Sequence, residues 1–64
     1  MGDLVLLKNF ATINEAEMAQ DVLEQAGIHS VVQPGSGAGV LRGMPGAELF
    51  VLKDDLEKAR EIIR

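Results

Sequence analysis

The amino-acid sequence predicts a small α+β domain of the ferredoxin-like type, with the element order strand–helix–strand–strand–helix. Two observations support this prediction: three apolar runs of strand length, and two amphipathic stretches that begin at helix-capping residues. The chain has 64 residues. Because chains divide into several domains only at much greater lengths, we expect one domain over residues 1–64.

Three short apolar runs are predicted to be strands. They are Leu4–Leu7, Ile28–Gln33 and Ala47–Lys53. A helix separates the first two, so these strands can run parallel under the right-handed crossover rule. The third strand then fits between them, antiparallel to both. This predicts a three-stranded sheet of order 1-3-2, with both helices on one face.

Two helices are predicted from capping residues and apolar stripes. Thr12 followed by Glu15 is a capping box, with Asn14 as a rival cap. Gly27 has the position of a left-handed residue that closes the first helix, and Asp54 is expected to cap the second. The expected apolar stripes are Ala16, Ala19, Val22, Leu23 and Ala26 in the first helix, and Leu56, Ala59, Ile62 and Ile63 in the second.

The first and third predicted strands carry a surplus of apolar residues. Neither Leu4–Leu7 nor Leu49–Leu52 alternates apolar with polar residues, although a sheet with one wet face should do so. Each large side chain left in water forgoes roughly 1.5–3 kcal/mol of burial. We therefore expect self-association through the open face or a sheet edge. The alternative is that the loop at 34–46 folds over that face, and the pattern leaves open which face the helices cover.

The segment 34–46 is a glycine-rich loop of thirteen residues that holds five of the seven glycines and both prolines. Loops of this size are usually functional or disordered. Its apolar residues favour a loop that orders on a protein partner or a second subunit, whereas glycines beside Arg42 could instead bind an anion. Plain flexibility is the third interpretation. The candidate residues for the ligand or partner are Gly35, Gly37, Gly39, Leu41, Arg42 and Met44.

Composition argues against several functions. The net charge is −4, from ten acids against six bases, and only two residues are aromatic, so nucleic acid is not an expected partner. One histidine and no cysteine cannot supply a structural zinc site, and no metal or other cofactor is expected. No stretch approaches the roughly 20 apolar residues of a membrane span. The residues Met1–Leu4 lack a signal-peptide pattern, so the expected location is cytoplasmic.

Neither of the two remaining clusters of polar residues predicts catalysis. Glu17, Asp21 and Glu24 form an acidic stripe on the first helix, which is either a solvated face or a contact for a basic partner. His29 stands beside Ser30, but neighbouring strand residues face opposite sides of a sheet. A general base needs a nucleophile within hydrogen-bond reach, so an enzyme is not expected.

Four features of the chain together resemble a known family. They are the opening apolar strand, the helix from Glu15 that closes as Leu23–Ile28, the glycine-rich loop, and Glu48–Leu52 leading into Asp54. In order and spacing they resemble the putative prokaryotic signal-transducing proteins, bacterial domains of undefined function. That family is similar in fold to the nitrogen regulatory PII proteins, which are trimers that bind nucleotides and contact partners through a long loop. The resemblance implies a regulatory role, but this chain lacks the lysine and arginine set with which PII proteins hold ATP.

The predicted function is that of a non-enzymatic regulatory or adaptor module, forming a homo-oligomer and contacting a protein partner through the 34–46 loop and the acidic helix. The alternative is a sensor of a small metabolite or anion, with its site near the loop and Arg42.

Overall fold

The structure is a computed structural model that describes residues 3–35 and 46–63. Its elements are β1 (Leu4–Phe10), α1 (Ile13–Gln25), β2 (Ser30–Gly35), β3 (Gly46–Leu52) and α2 (Leu56–Ile62), with a 3-10 turn at Lys53–Asp55 before α2. The sheet order is β1-β3-β2, and β3 is antiparallel to both neighbours. The predicted α+β fold with strand order 1-3-2 is confirmed.

The strands differ from their predicted bounds because β1 and β2 each pair with β3 along nearly its whole length. β1 continues beyond Leu7 to Phe10, which lies opposite Ala47. β2 begins at Ser30 rather than Ile28, and continues through Pro34 and Gly35. These last two residues were predicted to lie in the loop. A proline is tolerated there because β2 is an edge strand, where the missing N–H need not leave a ladder bond unmade.

Helix α1 begins and ends as the sequence predicts. The Thr12 hydroxyl accepts a hydrogen bond from the Glu15 N–H at 3.2 Å, and Thr12 itself is extended. At the other end Gly27 has a φ of +84°. Its N–H donates to the Glu24 carbonyl, and the Ile28 N–H donates to the Leu23 carbonyl, each at 2.9 Å. This pair of bonds is a Schellman motif.

Helix α2 begins later than predicted. Asp54 lies within the 3-10 turn, so Asp55 rather than Asp54 precedes the helix, and its side chain makes no capping bond. The prediction of Asp54 as the cap is therefore wrong. The turn is held to the start of β1 by a bond from the Lys53 N–H to the Asp3 carbonyl at 2.8 Å. This bond fixes the first residue of the 3-10 turn next to β1, and α2 begins only after the turn, at Leu56.

Both helices pack on the same face of the sheet, as predicted. The buried cluster consists of Ala19, Leu23, Ile28, Leu49, Val51 and Ala59. Half-buried residues surround it, including Leu56, Ile62 and Ile63 of the predicted α2 stripe. In α1, however, Val22 is 47% exposed and Ala26 is also exposed. The predicted stripe was too wide, because a three-stranded sheet and one short neighbouring helix cover only part of the side of α1.

The register of β1 changes at Leu7. Leu6 lies opposite Phe50 and Lys8 lies opposite Leu49, so Leu7 is an extra residue with no partner of its own on β3. Leu7 packs against the core from the helix side. A β-bulge of this kind interrupts the alternation of a strand and bends it locally.

Candidate functional site on the open face of the sheet

The central strand shows which face of the sheet the helices cover. Leu49 and Val51 are both 0% exposed and lie in the core beneath the helices. Since successive side chains of a strand point to opposite faces, Phe50 and Leu52 belong to the other face. The residues opposite Phe50 and Leu52 on β1 and β2 lie on the same side, and we call this side the open face of the sheet.

An apolar cluster occupies one end of the open face. We call it the outer apolar patch, and its members are Leu4, Leu6, Val31, Phe50 and Leu52. Phe50 lies in the middle, opposite Leu6 on one side and Val31 on the other. Leu4 is 48% exposed and Leu6 is 42% exposed, while the other three are half-buried. The predicted surplus of apolar residues on the uncovered face is thus present among the described residues.

A polar row occupies the other end of the open face. Glu48 lies opposite Asn9 on one side and Gln33 on the other. The next pair on this face is Gly35 and Gly46. A methyl group at Gly35 would meet the Glu48 side chain at 2.7 Å, so the glycine leaves room for that side chain to lie across the strand. The open face therefore changes from apolar to polar toward the end where segment 34–46 begins and ends.

The two edges of the sheet are less suited to pairing than the open face is. β1 carries the bulge at Leu7 and the charge of Lys8, and β2 carries Pro34. Bulges, lysines and prolines are features by which natural sheets keep their edges from pairing with other strands. The sheet edges are thus the less suited of the two predicted routes, and self-association itself stays a prediction.

The open face is small. Three strands about 4.8 Å apart, with seven residues at about 3.3 Å each in β3, give a face of roughly 300 Å². A standard protein interface buries about 800 Å² on each partner. A contact confined to this face would therefore be weak, and a stable contact needs surface from elsewhere.

The acidic stripe lies on a different side of the molecule. Glu17, Asp21 and Glu24 are all exposed, on the side of α1 away from its buried residues. Because α1 covers the helix side of the sheet, the stripe and the outer apolar patch cannot face one flat partner surface together. The stripe has the exposure of a solvated helix face, and its contact with a basic partner stays a prediction.

Most of the predicted loop site falls outside the described residues. This applies to Gly37, Gly39, Leu41, Arg42 and Met44. Gly35 is described, and it is the last residue of β2 rather than a loop residue. The predicted roles of these residues in binding a ligand or partner stay predictions.

His29 and Ser30 do not form a catalytic pair. His29 is exposed and precedes β2, whereas Ser30 is 4% exposed and lies opposite Val51 on the helix side. Among the described residues the buried Ser30 hydroxyl has no hydrogen-bond partner, so His29 does not contact it. Within residues 3–35 and 46–63, no group of three or more His, Cys, Asp or Glu is placed to hold a metal ion.

Neither α1 nor α2, the helices found in the described part of the chain, is long and apolar enough to cross a membrane.

The fold defines a small α+β domain of the ferredoxin-like type, with helices on one sheet face and no element of residues 3–35 and 46–63 on the other. The chain belongs to the family described as putative prokaryotic signal transducing protein, whose profile matches residues 5–64. The predicted family is thereby confirmed, whereas the likeness in fold to the PII proteins stays a prediction. Neither a curated protein nor a solved structure matches the chain.

Proposed function

We propose that the domain is a non-enzymatic regulatory or adaptor module that associates with a second copy of itself and with a protein partner. The observation that carries this proposal is the outer apolar patch. Leu4 and Leu6 remain almost half exposed beside Phe50, on a face that no element of the described residues covers. Apolar patches of this kind are typical of protein interaction sites.

Two further observations support the proposal. The family is described as signal transducing, which fits a regulatory role. The edges of the sheet carry a bulge and a proline, which leaves the open face as the better contact surface. The face alone provides roughly 300 Å², well under the area of a standard interface. We assign the remaining contact to segment 34–46, whose described ends pair at the polar end of the same face.

Sedimentation velocity of the full chain over a range of concentrations tests the proposal. We expect a weak dimer with a Kd on the order of 0.1–1 mM, because the open face is small. Leu6→Lys should abolish the dimer, since the new charge would be placed in an apolar contact. Val22→Lys is the matched control: Val22 is 47% exposed, as against 42% for Leu6, but lies on α1.

The same measurement separates the two parts of the contact. A double variant, Leu41→Gln with Met44→Gln, should weaken the dimer if segment 34–46 contributes area. A wild-type chain that remains monomeric over the whole range would contradict self-association. Equal loss of the dimer in Leu6→Lys and Val22→Lys would show that the open face is not the contact. Thermal unfolding of each variant establishes that it is folded.

A further inference from the structure

The bulge in β1 moves a lysine to the helix side of the sheet. With strict alternation, Lys8 would lie on the open face with Leu4 and Leu6. The extra residue at Leu7 instead places Lys8 opposite Leu49, which is buried under the helices. Bulges are frequent beside functional sites, where they change the direction of a side chain.

Lys8 and Arg60 line one cleft between β1 and α2, which we call the β1–α2 cleft. Its volume is about 310 Å³, and its other described lining residues are Leu7 and Ile63. None of these four residues is acidic, although the chain has ten acids and six bases. Lys8 and Arg60 are far apart in the sequence, so no sequence motif pointed to this pair.

Lys8 lines two further clefts, one of which contains the acidic Glu15 while the other is lined by aliphatic residues. The aliphatic cleft also has a volume of about 310 Å³, and Lys8 lines it together with Ala19, Val22, Ile62 and Ile63. Val22 was predicted to belong to the core stripe of α1, but it is exposed in the structure and lines this adjoining cleft. The cleft thus combines aliphatic walls with two cationic side chains, a combination that matches a ligand with an apolar body and one anionic end.

We propose that the β1–α2 cleft binds a small amphiphilic carboxylate. Its carboxylate group lies at Arg60 and Lys8, and its aliphatic body lies against Leu7 and Ile63. A volume of about 310 Å³ corresponds to roughly ten water-sized groups, so the ligand has on the order of ten non-hydrogen atoms. The planar guanidinium of Arg60 matches a carboxylate through two parallel hydrogen bonds.

The two cations contribute unequally. The Lys8 ammonium already lies over the Phe10 ring, with Nζ 5.4 Å from the ring centroid. This cation–π contact competes with a ligand for the same charge. Arg60 on α2 presents a planar guanidinium that can pair with a carboxylate through two parallel hydrogen bonds, so it is the stronger of the two contacts.

Titration of the full chain with octanoate, followed by amide chemical shifts in NMR, tests the proposal. Octanoate has a carboxylate and an apolar chain of the required size. We expect octanoate to cause saturable chemical-shift changes around the cleft. Acetate, which lacks the apolar chain, and 1-octanol, which lacks the charge, should both bind much more weakly. Octyl phosphate carries a different anionic group on the same apolar chain. If octyl phosphate binds more tightly than octanoate, the assignment to a carboxylate is overturned.

Substitutions then localise the site. Arg60→Gln should weaken octanoate binding about two- to fivefold, as expected for an exposed charge pair, and Lys8→Gln should have a smaller effect. Lys58→Gln is the control, since Lys58 is exposed on α2 but does not line the cleft. The proposal is wrong if octanoate produces no saturable shifts, if 1-octanol binds as tightly, or if Lys58→Gln weakens binding as much as Arg60→Gln does. The cleft lies on the helix side, so the result is independent of dimer formation through the open face.

Discussion

At the scale of single residues, Gly27 and Ser30 lie near the two ends of the connection between α1 and β2. Gly27 has the left-handed backbone that closes the helix, and nothing lies within 4 Å of where its Cβ would be. Ser30 follows shortly after, with its hydroxyl buried and unpaired. Gly27 stabilises the fold through its left-handed backbone, whereas the buried Ser30 hydroxyl lowers the free energy of unfolding.

Gly27→Ala should lower the free energy of unfolding by about 1 kcal/mol. A side chain at a φ of +84° is strained whatever the surrounding space, and here the space is open. Urea denaturation measures the loss, which corresponds to a fall in Tm of about 4–8 °C in a domain of this size. Gly27→Asn should lose less, because asparagine tolerates the left-handed region better. Equal losses in both variants would argue against backbone strain.

Ser30→Ala should raise the free energy of unfolding by about 0.5–1 kcal/mol. The buried hydroxyl has no partner, so removing it ends a desolvation cost and breaks no hydrogen bond. The Ser30 carbonyl, which accepts from Gln20 Nε2 at 3.0 Å, is left in place. Thermal and urea unfolding measure the gain. A loss of more than about 1 kcal/mol would mean that the hydroxyl is hydrogen-bonded in solution.

At the scale of the elements, α1 is the one that the sequence predicts most closely. Its capping residue, its C-terminal glycine and its buried residues Ala16, Ala19 and Leu23 agree with the prediction. These features depend on contacts within a few residues along the chain, which sequence patterns describe well. The prediction failed for Val22 and Ala26, because their burial depends on how far the neighbouring elements extend over the helix.

Thr12→Ala should lower the free energy of unfolding by about 1 kcal/mol, since the Glu15 N–H would lose its acceptor at the start of α1. Thr12→Ser keeps the hydroxyl and should retain most of the stability. Far-UV circular dichroism during urea denaturation checks both variants. If the serine variant is as unstable as the alanine variant, the hydrogen bond at the cap is not the cause.

The sequence predicts that the three strands exist and in which order they pair. It does not predict which face of the sheet their side chains occupy. Both apolar runs, Leu4–Leu7 and Leu49–Leu52, fit the core with either set of alternate residues. A shift of one residue moves every side chain of a strand to the opposite face. The bulge at Leu7 adds a second ambiguity, because it reverses the alternation within β1. Only packing against the helices resolves both.

At the scale of the whole molecule, a thin core coexists with an uncovered apolar face. In the described part of the chain the buried cluster contains six residues, three of which are larger than valine. A domain of this size buries about 60% of the surface of its unfolded chain, so its stability is sensitive to any additional contact. Association through the outer apolar patch would therefore be visible in the stability of the fold.

The Tm of the wild-type chain should rise with protein concentration, because association that binds only the folded chain stabilises it by mass action. Leu6→Lys should remove this dependence, whereas Val22→Lys should retain it, since Val22 lies outside the outer apolar patch. Differential scanning calorimetry over a wide concentration range makes the comparison. A wild-type Tm that is the same at every concentration would contradict self-association through the open face.

The type and order of the elements, the sheet topology and the family could all be predicted from the amino-acid sequence. Caps, periodicity and the crossover rule are local or follow from chirality, so they can be recognised before the chain is folded. The folded structure was needed to show that Leu49 and Val51 face the helices while Phe50 faces outward. It also decided that Lys8 meets Arg60 at one cleft. The physical reason is that both outcomes depend on register and on contacts between residues distant in the chain, for which an apolar run without alternation carries no signal.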